Sequence, residues 1–226
     1  LASLAFGLNQ IDTQNFFSSL ASLNVWPFLL IGIVLLFVFP AIERKAEDPI
    51  LNLNLFKSRQ TVIASMLSAG AGLGESGMVF IPALAVAAMP SIINEHNASY
   101  LLMPVVLAMA VGSPLVGRLL DKFGSKVMVF GGTFLLAVGM IMLSNSGLIS
   151  MLWGFIAAAA VIGLGLSSLL GAPMRYIMLN EASAADRTSA QGLITLFTSV
   201  GQLTSSALIG AVAASMGGGV KGYGTA

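Results

Sequence analysis

A chain of 226 residues that is 57% hydrophobic and only 8% charged, with a mean hydropathy of +0.94, falls far below the roughly 25% charge of a soluble domain, so its expected solvent is a lipid bilayer. The net charge of +1 gives no general attraction to nucleic acid. With no Cys in the chain, disulfides, zinc–thiolate sites and thiol nucleophiles are excluded.

The chain opens on LASLAFGLNQ, with neither Met nor a basic flank. That is no signal peptide, and residues 1–11 are expected to be the end of a transmembrane helix begun upstream. A bilayer core about 30 Å thick needs roughly 20 apolar residues in a helix. Six such runs follow, at 25–42, 61–89, 99–117, 127–145, 150–173 and 190–216. The second and last are long and are expected to tilt or to end in the interface. None shows the ten-residue alternation of a barrel strand, so the fold class predicted is an all-α polytopic transmembrane helix bundle.

Residues 12–42 read as an outer loop and one transmembrane helix. Residues 43–60, ERKAEDPILNLNLFKSRQ, are too charged and too short to span; they read as a cytoplasmic interfacial linker, with an ordinary loop as the alternative. Residues 61–216 carry five transmembrane helices, and the glycine-rich 217–226 reads as a flexible tail toward a further helix. The loops test this division. Arg44, Lys45, Lys57, Arg59, Arg118, Lys122, Lys126, Arg175 and Arg187, nine of the ten basic residues, fall in alternate connections. The positive-inside rule puts those connections in the cytoplasm.

The turn between the third and fourth runs reads VGRLLDKFGSKVMVFGG. Glycines at 117 and 124 permit a sharp turn and close helix approach. Asp121 can accept from the N-terminal N–H groups of a neighbouring helix, and Lys122 and Lys126 hold the turn on the cytoplasmic side. The spacing Gly117-x-Leu119-x-Asp121-Lys122-x-Gly124-x-Lys126 resembles the loop motif of the major facilitator superfamily of transporters. PAIERKAEDPILNLNLFKSR and GAPMRYIMLNEASAADRTSAQGLITLFTSVGQ are similar to the link before, and a late loop within, the C-terminal domain of 14-helix drug:proton antiporters. The resemblance implies an incomplete C-terminal transporter domain, preceded by an extra central helix at 25–42. It further implies proton-coupled efflux of drugs or other small amphipathic molecules by alternating access, in a bacterial inner (plasma) membrane. The proton gradient would be the energy source, with no cofactor and no metal. Partners would be a small-molecule substrate, the bilayer and an N-terminal transporter domain. Gly117, Arg118, Asp121, Lys122, Gly124 and Lys126 would form a cytoplasmic gate.

Glu75 is the only acid inside a predicted span, 16 residues past Arg59, or roughly 24 Å along a helix. An acid in a span is costly and marks a functional site by default. Its setting, GAGLGESG with Pro82 beyond, weakens the helix and permits a bend. One reading is a proton or cationic-substrate site; the other is a protonated Glu bonded across a helix pair. Gln191, Thr195, Thr198 and Gln202 share one face of the last helix and read equally as cavity lining or as interhelical glue. Gly163, Gly165, Gly171 and Ala172 read as close-packing positions, the span methionines mostly as packing, and His96 as a solvated loop residue. No arrangement resembles a catalytic triad, a metal cluster or a nucleotide loop, so an enzyme is not expected. Uptake by a proton symporter and a non-transporting membrane scaffold or sensor are the alternatives to efflux.

Overall fold

The structure, a computed structural model, describes residues 3, 6–7, 18, 22–43, 53–94, 96–184, 186–217 and 219–225. The elements of the described residues include, in chain order, the α-helices α1 Trp26–Glu43, α2 Arg59–Gly77, α3 Ile81–Ala88, α4 Met103–Ser144, α5 Ser146–Ile149, α6 Leu152–Leu170, α7 Ala172–Glu181, α8 Arg187–Ser215 and α9 Gly219–Thr225. The described residues contain no strand. Four continuous helical stretches are long and apolar enough to cross a membrane. An all-α membrane bundle follows, because helices satisfy their own backbone groups in lipid.

The stretch Ala98–Ser144 is 47 residues long, about 70 Å of helix, more than twice the bilayer core of about 30 Å. Gly124 breaks it, with φ 77° and ψ 165° inside α4, a conformation open to glycine and strained for any residue with a Cβ. The two arms fold back on each other. Val105 and Gly112 on the first arm lie against Gly163 and Ser167 of α6, while Gly132 and Gly139 on the second lie against Ser168 and Ile162. The first arm therefore runs with α6 and the second runs against it.

The same contacts fix the remaining directions. Gly201 meets Ala69 and Ser205 meets Leu73, while Leu136 meets Gly74 and Met140 meets Gly77. So α2, the second arm of α4 and α8 all run one way. Lys57, Arg59, the turn at 118–126, Arg175 and Arg187 consequently gather at one end of the bundle. Arg44 and Lys45 lie outside the described residues. The loop charges predict that this end is cytoplasmic. In a cysteine-free full-length protein, Lys122→Cys is expected to resist an impermeant thiol reagent added to intact cells and to react once the membrane is opened. Labelling from outside would contradict the orientation.

Packing depends on small residues, as it must where lipid is as apolar as Leu. A Cβ on Gly163 would lie 2.3 Å from the Val105 carbonyl oxygen, and one on Gly165 2.7 Å from the Leu136 nitrogen. These two positions are the close approaches that the sequence suggested. Around them Phe155, Ile162 and Leu166 are fully buried, with Met78, Met109, Met140 and Met142 packed at the edge of that cluster. Leu107, Val111, Phe130, Phe134 and Ile141 are exposed, as residues facing lipid should be.

Two segments differ from expectation. The tail read as flexible is helical at Gly219–Thr225. Gly222 is buried, because without a side chain it reaches the Ala213 carbonyl, and the Tyr223 ring stands 6.0 Å from Phe80. In the linker, Leu53–Lys57 forms a 3-10 turn. Leu55 buries in the core and Phe56 stands 6.0 Å from Phe197, so this part folds onto the bundle. The rest of the linker, 44–52, lies outside the described residues, as does most of 1–21. Of the latter, Ser3, Phe6 and Gly7 pack on α1, where the Ser3 hydroxyl donates to the Phe28 carbonyl over 2.7 Å.

Candidate functional site

The site builds from the seam between α2 and α8. A Cβ on Gly72 would fall 2.1 Å from the Thr198 carbonyl oxygen, and one on Gly201 2.0 Å from that of Ala69. Two glycines thus bring the backbones into direct contact. One turn further on, the Ser205 hydroxyl crosses the seam to the Leu73 carbonyl at 2.9 Å.

Glu75 follows, half-buried, two residues before α2 ends. The helix then tightens into the 3-10 turn Met78–Phe80, and Pro82 opens α3. Pro82 has no N–H to donate to Met78, and the Ile81 N–H bonds the Met78 carbonyl instead. The predicted bend is this change of helix type, caused by Pro82. The Glu75 side chain makes no hydrogen bond or ion pair to another described residue. The cross-helix bond that the glue reading requires is not made there; Ser205 makes one instead. Nothing marked Ser205 in the sequence, where it is one of many serines in α8.

The polar stripe on α8 divides. Thr198 and Gln202 meet α2 through their backbone at Gly72, one turn before Glu75. Gln191 is half-buried and Thr195 is exposed. The Thr195 hydroxyl is turned back onto the Gln191 carbonyl at 3.2 Å, so it ties no second helix.

At the basic end, Gly124 makes the turn that the motif requires. Gly117 does not serve close packing: a Cβ there would meet nothing within 4 Å. Its neighbours explain this, because Arg118, Asp121, Lys122 and Lys126 are all exposed and the face they share turns away from the described helices. Lys122 lies 5.3 Å from the Phe123 ring centroid. Asp121 has no hydrogen-bond or ion-pair partner among the described residues, so the helix N-terminus expected to receive it is not within them.

Two contacts near this end were invisible in sequence. The Ser58 hydroxyl donates to the Glu181 carboxylate across 123 positions. This sets a negative charge over the N-terminus of α2, where the helix dipole favours it. The Ser183 hydroxyl donates to Asp186 at 2.6 Å, ordering the entry to α8. A cavity of about 590 Å³ lies beside α7, walled by Ser113, Leu120, Leu170 and Leu179, with Arg175 and Tyr176. None of the residues expected to handle substrate lines it. Gly171 and Ala172 line it too; Gly171 is also a close approach, since a Cβ there would lie 2.2 Å from the Ser167 carbonyl oxygen, and Pro173 starts the helix that follows. The described residues hold no cluster of His, Cys, Asp or Glu suited to a metal.

Membrane-length helices, joined by a glycine turn under a basic motif and carrying one isolated acid in the described spans, define a polytopic integral membrane protein. Residues 61–220 match the model of the Major Facilitator Superfamily, and the chain belongs to that superfamily. It is 26% identical over 208 residues to the uncharacterized MFS-type transporter YfiU of Bacillus subtilis, covering 89% of this chain and 39% of the relative. The multidrug transporter protein MdtP of the same organism is 26% identical over 84% of this chain and 34% of its own length. The multidrug resistance protein Stp of Mycobacterium tuberculosis is 25% identical over 78% of this chain and 32% of its own. The chain thus spans from 32% to 39% of the length of these relatives.

Proposed function

We propose that this chain is the C-terminal part of a 14-helix, proton-coupled exporter of drugs or other small amphipathic molecules, in a bacterial inner membrane. The observation that carries the reading is Glu75, an acid in a membrane span whose side chain has no partner among the described residues, half-buried where α2 gives way to a 3-10 turn. Multidrug relatives support the choice of substrate class. In this reading Glu75 takes up and releases the coupling proton. Thr198 and Gln202 sit one turn away at the α2–α8 seam, where movement of α2 would reach them, and Gln191 and Thr195 continue that face toward the cytoplasm. The exposed group of Arg118, Asp121, Lys122 and Lys126 faces the N-terminal transporter domain and gates the cytoplasmic side, with Asp121 finding its helix N-terminus there. Rocking of the two halves about a midplane site gives alternating access.

Accumulation of ethidium in cells expressing the full-length protein tests this. Expression is expected to lower cell-associated ethidium, and a protonophore is expected to restore it. Raised accumulation would favour uptake by symport, and unchanged accumulation would favour the scaffold or sensor.

A further inference from the structure

Thr61, Ser65, Ser68, Gly72 and Glu75 follow one another at steps of four, three, four and three along α2. That spacing puts them on one face of the helix. On one flank of this face Ala64 and Ala71 pack in a cluster with Leu169, Met174 and Met178. On the other, Ala69 and Gly72 touch α8. The polar side chains therefore point into the seam between α8 and the α6–α7 pair. Thr61, Ser65 and Ser68 are each only 1% exposed.

Ser68 is satisfied, its hydroxyl donating to the Ala64 carbonyl at 2.8 Å. The Thr61 and Ser65 hydroxyls are buried with no hydrogen-bond partner among the described residues. A hydroxyl so placed in a helix ordinarily bonds the carbonyl one turn back, as Ser113, Thr133 and Ser199 do here. Two adjacent orphans on one face are costly unless water satisfies them. They lie one helical turn apart, about 6 Å, a separation that a chain of two waters bridges.

We propose that this face of α2 is a hydrated path by which protons travel between the cytoplasm and Glu75. The proposal rests on the coupling role of Glu75 given above. Protonation balances simply: a water at the inner end of the path gives a proton to the Glu75 carboxylate and regains one from the water behind it, back to the bulk. Release runs the same steps in reverse. The charged groups of the packed elements, Arg59 on α2, Arg175 and Glu181 on α7 and Arg187 on α8, all belong to the basic end, with Glu181 held by Ser58. No fixed charge of the described residues interrupts the path above them. Gly72 does interrupt it. There the α2 and α8 backbones touch at Thr198, so the path is closed one turn short of Glu75, and separation of α2 from α8 at Gly72 opens it.

The test uses the full-length transporter in proteoliposomes, with ethidium as the transported probe and a trapped pH dye. The double variant Thr61→Val, Ser65→Ala is expected to bind ethidium as wild type does. Its proton-driven ethidium flux is expected to fall about tenfold, the kinetic effect of about one lost hydrogen bond. Thr61→Ser, which keeps the hydroxyl, is expected to run near the wild-type rate. Wild-type flux in the double variant, beside an inactive Glu75→Gln, would overturn the path and leave the coupling role standing. Wild-type flux in Glu75→Gln would overturn both. Should the double variant not reach the membrane, Ser65→Cys in a cysteine-free background decides. It is expected to react with a small hydrophilic thiol reagent from the cytoplasmic side, and complete resistance would overturn the path.

Discussion

Gly72→Leu is expected to yield no monodisperse transporter after detergent extraction, whereas Gly70→Leu, two residues away, is expected to behave as wild type. The difference lies in what each side chain would meet. A Cβ at Gly70 has nothing within 4 Å, while one at Gly72 falls 2.1 Å from the Thr198 carbonyl oxygen and 3.1 Å from the Gln202 nitrogen. Both are backbone atoms, so no rotamer change can relieve the clash. Gly201 makes the reciprocal contact with Ala69, so a side chain at 72 would wedge the two helices apart. Overpacking a core costs about 1–3 kcal/mol when side chains can yield, and here the two helices themselves must part. Helix pairs in lipid have little else to hold them, since association there rests on close contact and interhelical hydrogen bonds. The Ser205–Leu73 bond across the same seam would be lost with it. Fluorescence-detected size-exclusion of the tagged full-length protein, before and after heating, reads the result. A normal profile for Gly72→Leu would show that the seam is not a structural contact of the transporter.

Glu75→Gln is expected to keep substrate binding and to lose transport driven by a pH gradient. Gln preserves the size of the side chain and its capacity to hydrogen-bond, but it cannot ionise. If Glu75 were a neutral strut between helices, Gln would replace it with little loss. Glu75 has no cross-helix partner among the described residues, and it sits where α2 changes helix type, so ionisation is the property left for the substitution to remove. Parallel measurement of ethidium binding and of flux in proteoliposomes separates the outcomes. Intact binding with absent flux is the expected pair, and full flux would end the coupling assignment.

What the sequence disclosed depended on the range of the signal. The spans were legible because runs of about 20 apolar residues have few other uses. The Gly124 turn was legible because a basic knot between two such runs can only be a loop. The bend after Glu75 was legible through Pro82, whose effect on a helix is local. Side-chain partners were not. Ser58 and Glu181 lie 123 positions apart, and nothing in FKSRQ or NEASAAD announces that they meet. The α8 stripe showed the common face of Gln191, Thr195, Thr198 and Gln202 but could not show what faces it. Thr195 spends its hydroxyl on its own helix, while the seam is tied by Ser205. Thr61 and Ser65 looked like ordinary helical hydroxyls until their burial was known. Gly117 and Gly124 looked alike as a pair of framing glycines, yet only Gly124 has the positive φ that calls for glycine. The tail read as flexible because glycine lowers helix propensity, an effect that contact with α8 and α3 overrides.

The most direct measurement of proton-coupled export is flux in proteoliposomes containing the full-length transporter, with the membrane potential clamped and only a pH gradient imposed. Ethidium is expected to move against its own concentration gradient, opposite to the protons, the trapped pH dye to record the matching proton movement, and collapse of the gradient to stop both. Ethidium movement that ignores the imposed gradient, or that travels in the same direction as the protons, would contradict proton-coupled export.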